Sequence, residues 1–144
     1  MRRVLVLVVT TIGVFLAIAS EARAQSFDGT YGGTLSCPAL PGQTPLRTPF
    51  ALIVTGSTAT YERQILRPGT AGGVQTGSYE RGRGTVSPSG EVSLRGACEG
   101  TFTCDAEYRG QLTGSPIRLG GTQRWRLRDR DASRDCQIEL APKS

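Results

Sequence analysis

The segment "EVSLRGACEGTFTCDAEYRGQLT", Glu91 to Thr113, decides the fold. Its apolar residues recur at every second position, the period of a half-buried strand rather than of a helix. Setting Cys98 opposite Cys104 fixes every other cross-strand partner by counting. Gly96 then faces Ala106, Leu94 faces Tyr108 and Val92 faces Gly110, a wholly apolar face. On the opposite face Arg95 meets Glu107, Ala97 meets Asp105 and Ser93 meets Arg109. A slip of one residue would set apolar against charged side chains almost throughout, because side chains alternate faces along a strand. This register predicts an antiparallel hairpin and a Cys98–Cys104 disulfide, since opposed strand positions lie ~4.5–5.5 Å apart at Cα. The chain has four cysteines, so this choice leaves Cys37 for Cys136 and ties the first strand to the last. A four-cysteine zinc site is set aside, for there is no C-x-x-C pair and no histidine.

The same period runs outward in both directions. Strands are expected near Gly29–Cys37, Phe50–Gly56, Thr58–Leu66, Gly73–Glu80, Gly82–Ser87, Glu91–Glu99, Phe102–Thr113, Gly121–Arg128 and Cys136–Leu140. The two pieces around Arg81 can be one long bent strand, with Gly77, Gly82 and Gly84 as places for bulges. "SPSGE" (Ser87–Glu91) suits a three-residue hairpin with Gly90 left-handed, and "RPGTAGG" (Arg67–Gly73) a looser turn. "CPALPGQTPLRTP" (Cys37–Pro49) holds four prolines. It reads as a stiff crossover between the first two strands, or as a binding loop or polyproline ligand. The fold class is all-β: an antiparallel up-and-down barrel or closed sandwich of about 8–9 strands, stapled by disulfides.

The N-terminus reads as a secretory leader. Arg2 and Arg3 precede an apolar run from Val4 to Ala19, and Ala22-Arg23-Ala24 sets small residues at a cleavage site. The run is too short to cross a ~30 Å hydrocarbon core at ~1.5 Å per residue. The division is therefore a signal peptide over 1–24 and a single β domain over 25–144. No transmembrane segment remains after cleavage, and the destination is the periplasm or the outside. A domain of roughly 120 residues with few large aliphatic side chains has a thin core, which disulfides offset in an oxidising compartment.

Composition removes several chemistries. There is no histidine, hence no Ser-His or Cys-His nucleophile and no imidazole metal site. The single lysine is Lys143, near the end of the chain, and asparagine is absent, so N-glycosylation is excluded. The glycines fall in strands and turns and form no phosphate loop. Glu91, Glu99, Asp105 and Glu107 remain as a possible carboxylate pair, yet Asp105 and Glu107 point outward in the hairpin register. A catalytic acid needs burial, so no catalytic residue, metal or cofactor is expected.

"RWRLRDRD" (Arg124–Asp131) alternates Arg124, Arg126 and Arg128 with Trp125 and Leu127. Folded against "RDCQIEL", it sets Arg128 by Asp135, Arg126 by Gln137 and Arg124 by Glu139, with Leu127 by Cys136 and Trp125 by Ile138 inside. The arginines then form the wet face of a strand. As a contact surface, Arg124, Arg126 and Arg128 would suit an anionic envelope polymer. The net charge of +5 includes the leader, and few aromatics interleave with the strip, so nucleic acid is not expected.

"FDGTY" (Phe27–Tyr31) before Cys37, "SGEVSL" (Ser89–Leu94), "GTQRW" (Gly121–Trp125) and "RDCQIEL" (Arg134–Leu140) together resemble a group of small exported bacterial β-proteins. Their members open on FDGT with an aromatic and a cysteine, and close on R-x-C before an apolar strand. The resemblance covers most of the chain after the leader. It implies a fold and a compartment, is consistent with a Cys37–Cys136 pair, and makes Cys98 and Cys104 an addition to the pattern. The meander is also similar in architecture to lipocalin-like and avidin-like barrels. The functional expectation is a non-catalytic exported envelope protein, a binding or structural module. The alternatives are a small inhibitor of a lytic enzyme or protease, and a small-ligand-binding lipocalin-like barrel.

Overall fold

A computed structural model of the chain describes residues 25–67 and 74–144. The segment 1–24, read from the sequence as a leader, and most of the turn expected at Arg67–Gly73 lie outside the described residues. Eight strands follow one another: β1 (Gly29–Cys37), β2 (Leu46–Thr55), β3 (Thr58–Arg67), β4 (Val74–Val86), β5 (Glu91–Glu99), β6 (Thr103–Gln111), β7 (Ile117–Arg126) and β8 (Asp131–Pro142). Each pairs antiparallel with the next, and β1 pairs with β8, so the sheet closes into an up-and-down barrel with no edge strand among the described residues.

The β5–β6 ladder has the register read from the sequence, from Val92↔Gly110 to Ala97↔Asp105. The Cys98–Cys104 disulfide closes its end, and Cys37–Cys136 joins β1 to β8, with Cα separations of 4.9 and 4.3 Å. The segment around Arg81 is one strand, β4. The irregularity in its pairing lies between Gln64 and Leu66 of β3 and between Gln75 and Tyr79 of β4, where Gly77 is left-handed at φ 76°, while Gly82 and Gly84 sit in regular ladder positions. Gly90 is left-handed at φ 86°, and Ser87 and Glu91 close the turn around it.

The terminal hairpin has a different register from the one expected. Arg126 pairs with Asp131, Trp125 with Ala132 and Arg124 with Ser133, while Cys136 faces Gly121, not Leu127. The turn is Leu127–Arg130, closed by a Leu127 N–H to Arg130 carbonyl bond of 2.8 Å. Arg128 therefore leaves the strand and is exposed in the turn. The displacement is even, so the faces survive it: Trp125 stays inside, and Arg124 and Arg126 stay outside.

The interior is layered along the barrel axis. The β2–β3, β4–β5 and β6–β7 turns share one end with Phe27. There Phe27, Tyr31, Leu52, Val54, Val92, Leu119 and Ile138 belong to the main apolar cluster. "FDGTY" does structural work at this end. The Phe27 ring lies against Gly90, where any Cβ would sit 2.6 Å from it. The Asp28 carboxylate accepts from the Gly56 N–H, and the Tyr31 hydroxyl donates to the Phe27 carbonyl at 2.7 Å. The β1–β2, β5–β6 and β7–β8 connections share the other end, called here the loop end. Leu40, Ile65, Cys104 and Trp125 form a smaller apolar cluster there.

Candidate functional site

Between the two apolar clusters lies a polar layer. Arg63 of β3, Ser78 and Glu80 of β4, Gln123 of β7 and Arg134 of β8 are all buried. Strand alternation puts them inside: Arg63 shares a face with Tyr61 and Ile65, and Arg134 shares one with Cys136 and Ile138.

Glu80 is the hub. It is 0 % exposed. Its carboxylate receives the Arg63 guanidinium, the Tyr61 hydroxyl at 2.8 Å, the Tyr108 hydroxyl at 3.0 Å and the Gln123 amide N–H at 3.1 Å. Gln123 also donates to the Tyr108 hydroxyl at 2.7 Å. Its carbonyl accepts from the Trp125 indole at 3.2 Å and from Arg134 Nε at 2.9 Å. The Arg134 guanidinium lies 5.7 Å from the centre of the Trp125 ring and reaches the Pro38 carbonyl at 3.4 Å. Glycines make room for the hub: a Cβ at Gly82 or Gly96 would come within 2.0 Å of the Tyr61 ring or hydroxyl. Phe50, Tyr61 and Tyr108 meet with ring centres 4.9 to 6.1 Å apart and fill the waist of the barrel.

Burial, reinforced by the Glu80 charge, raises the ionisation of Tyr61 and Tyr108 well above the ordinary tyrosine range. Burial, with the nearby Arg63 charge, lowers Arg134 to about 10. It stays protonated at neutral pH. These shifts give a pH prediction. The unfolded chain releases its tyrosine protons near pH ~10 while the fold retains them, so the two hydroxyls contribute stability below that pH and lose it above. Arg134 acts in the opposite sense: its lowered value lets the fold gain as pH rises above about 10. Two tyrosines outweigh one arginine. Folding stability, read from the urea midpoint, should fall above about pH 10, by roughly 1–2 kcal/mol per unit of pH, and a Tyr61→Phe/Tyr108→Phe chain should not show that fall. A midpoint that holds or rises to about pH 11 in the parent protein would contradict it.

The residues singled out from the sequence lie elsewhere. Glu91, Glu99 and Asp105 are exposed and Glu107 is half-buried. Three of them are paired on the outer wall: Glu99 with Arg81, Asp105 with Arg124 at 2.8 Å, and Glu107 with Arg95 at 3.8 Å. The three-arginine strip does not assemble. Arg124 and Arg126 line an outer groove of about 580 Å³ with Asp105 and Asp131, each cation beside its own acid. The hydrogen bond to Asp105 holds the Arg124 guanidinium more firmly protonated.

The Pro-rich segment crosses from β1 to β2 at the loop end. Cys37 anchors it through the disulfide, and Leu40 is buried in the loop-end cluster. Pro41 to Pro45 form an exposed tip, turned by the Gln43 N–H on the Leu40 carbonyl at 2.9 Å.

Comparison with protein-family models, with curated proteins and with solved structures finds no match. The functional reading rests on this geometry.

Proposed function

We propose that the protein is an exported, non-catalytic binding module of the cell envelope, which engages a protein partner through the exposed tip Pro41–Pro45. Its anchoring is the observation that carries this reading: the tip stands out from a segment pinned at Cys37 and Leu40. A held loop loses little conformational entropy on binding. The rings and the hydrogen-bonded hub fill the waist behind it, which favours contact at the loop end over a ligand deep in the lumen. Two disulfides are in keeping with an oxidising compartment, and the leader sequence points to the periplasm or beyond.

The same anchoring favours one form of the reading, a small inhibitor whose rigid loop enters the active site of a lytic enzyme or protease. The paired charges around Arg124 and Arg126 give no such advantage to an anionic polymer.

Site-specific photocrosslinking in the producing cell tests the proposal. A crosslinker at Gln43 should give a discrete protein adduct. The same group at Arg95 on the outer wall should give none, and a tip rebuilt as Gly-Ser of equal length should lose the adduct. Adducts from Arg95 alone, or a Gly-Ser tip that keeps its partner, would overturn it.

A further inference from the structure

The buried charges at the loop end do not balance. Among the described residues the barrel interior holds two cations, Arg63 and Arg134, and one carboxylate, Glu80. Glu80 already accepts from Arg63, Tyr61, Tyr108 and Gln123. It has no ion-pair contact with Arg134, and no other described carboxylate does either. An uncompensated buried charge is costly, because water is lost and nothing replaces it. The Trp125 ring under Arg134 offsets part of that cost. The gap is visible at single atoms. Arg63 Nε is buried with no hydrogen-bond partner. Arg134 meets the Pro38 carbonyl only at 3.4 Å, beyond the usual N–H···O range of about 2.7–3.2 Å. Buried polar groups are rarely left in this state in native proteins, and a water or ion is one of the partners that satisfies them.

We infer that the loop end holds a site for a monoanionic carboxylate with a flat apolar body, bound by the Arg134 guanidinium beside Trp125. The class follows from the surroundings. One surplus positive charge matches a monoanion better than a dianionic phosphate. A planar guanidinium takes a planar carboxylate in two parallel hydrogen bonds. Leu40, Ile65 and Trp125 supply apolar surface, and exposed Phe102 sets its ring edge-on to Trp125 at 6.2 Å. Arg134 is 8 % exposed, and a carboxylate bound to it takes the place of the long Pro38 contact. This site is independent of the loop-tip contact proposed above, which can form whether it is filled or empty.

Trp125 is the only tryptophan in the chain and reports directly on the site. Titrating the full protein with benzoate should change its fluorescence saturably. Benzyl alcohol, a near-isostere without charge, should produce no saturable change, and inorganic phosphate should bind at least tenfold more weakly than benzoate. Arg134→Gln should weaken benzoate at least tenfold, whereas Arg124→Gln on the outer wall should leave it unchanged. In the unmutated protein, NMR of the side-chain N–H groups should show benzoate moving the Trp125 indole and an arginine Nε–H. That measurement stands even where the Arg134 variant does not fold. Equal binding of benzyl alcohol would overturn the charge argument, and tighter binding of phosphate the carboxylate assignment. No response of the Trp125 signals, or an undiminished response in a folded Arg134→Gln protein, would overturn the site itself.

Discussion

Replacing Glu80 with glutamine is expected to cost about 3–5 kcal/mol of folding stability, read as a fall in the urea midpoint. Glutamine keeps the volume and removes the charge. Arg63 and Arg134 then stay in the interior with no negative partner. An acceptor oxygen also becomes an N–H₂, which faces either the Tyr61 and Tyr108 hydroxyls at Oε1 or the Arg63 and Gln123 donors at Oε2. The same change at Glu139, paired with Arg118 at 3.2 Å on the exposed wall, should cost under about 1 kcal/mol. A double-mutant cycle separates charge pairing from packing. Arg63→Met with Glu80→Leu removes both charges, so the pair should lose about 2–3 kcal/mol less than the sum of its single changes. The double variant remains less stable than the parent, since the tyrosines and Gln123 still lack their acceptor. Strictly additive losses would mean that the Arg63–Glu80 pair carries no coupling.

How much of this barrel was legible depended on what each stretch offered as a ruler. The β5–β6 hairpin carried two, a cysteine on each strand beside the turn and opposite charges on the outer face, and only one register satisfied both. The terminal hairpin carried only alternation. Alternation fixes which face a residue occupies and leaves even displacements open. Setting Arg128 by Asp135 leaves Asp129 to Arg134 as the turn, yet Asp131 to Asp135 are ladder positions, and the turn is the shorter Leu127–Arg130. Arg128 followed that turn out of the strip.

The polar layer was legible in part. In "YERQI" the inward pair Tyr61 and Ile65 brackets Arg63, and Cys136 puts Arg134 on its own inward face two residues earlier. The parity that sorted the outer arginines also places these two inside. Against it stood the general expectation that arginine and glutamate face water, which fails where buried groups receive the side chain: Glu80 for Arg63, and the Gln123 carbonyl and Trp125 ring for Arg134. That Tyr61, Tyr108 and Gln123 converge on Glu80 from three strands is a consequence of barrel closure. No local pattern encodes it. Nor does any local pattern place the Tyr61 ring over Gly82 and Gly96 of the next two strands.

The two disulfides should separate by more than a factor of two in what they contribute, although both are largely buried. Cys37 and Cys136 are 99 residues apart, and Cys98 and Cys104 only 6. Crosslinking lowers the entropy of the unfolded chain in proportion to the logarithm of the loop it closes. That gives about 4.7 kcal/mol for the long loop and roughly 2 kcal/mol for the short one. Position sharpens the contrast. Cys37–Cys136 lies one step beyond Ser36↔Gln137 on the β1–β8 seam, the contact that turns a sheet into a barrel. Cys98–Cys104 lies at the end of a hairpin whose strands are already neighbours in sequence. Cys37→Ala/Cys136→Ala should therefore lower the midpoint of thermal unfolding by roughly 15–20 °C, and Cys98→Ala/Cys104→Ala by under about 10 °C. Exposed β1 and β8 edges in the first variant should also make it the more prone to aggregate. Calorimetry on both variants under oxidising conditions decides the matter. Equal losses, or a larger loss from the short loop, would show that native-state packing around the sulfurs outweighs chain entropy and that the seam holds without its staple.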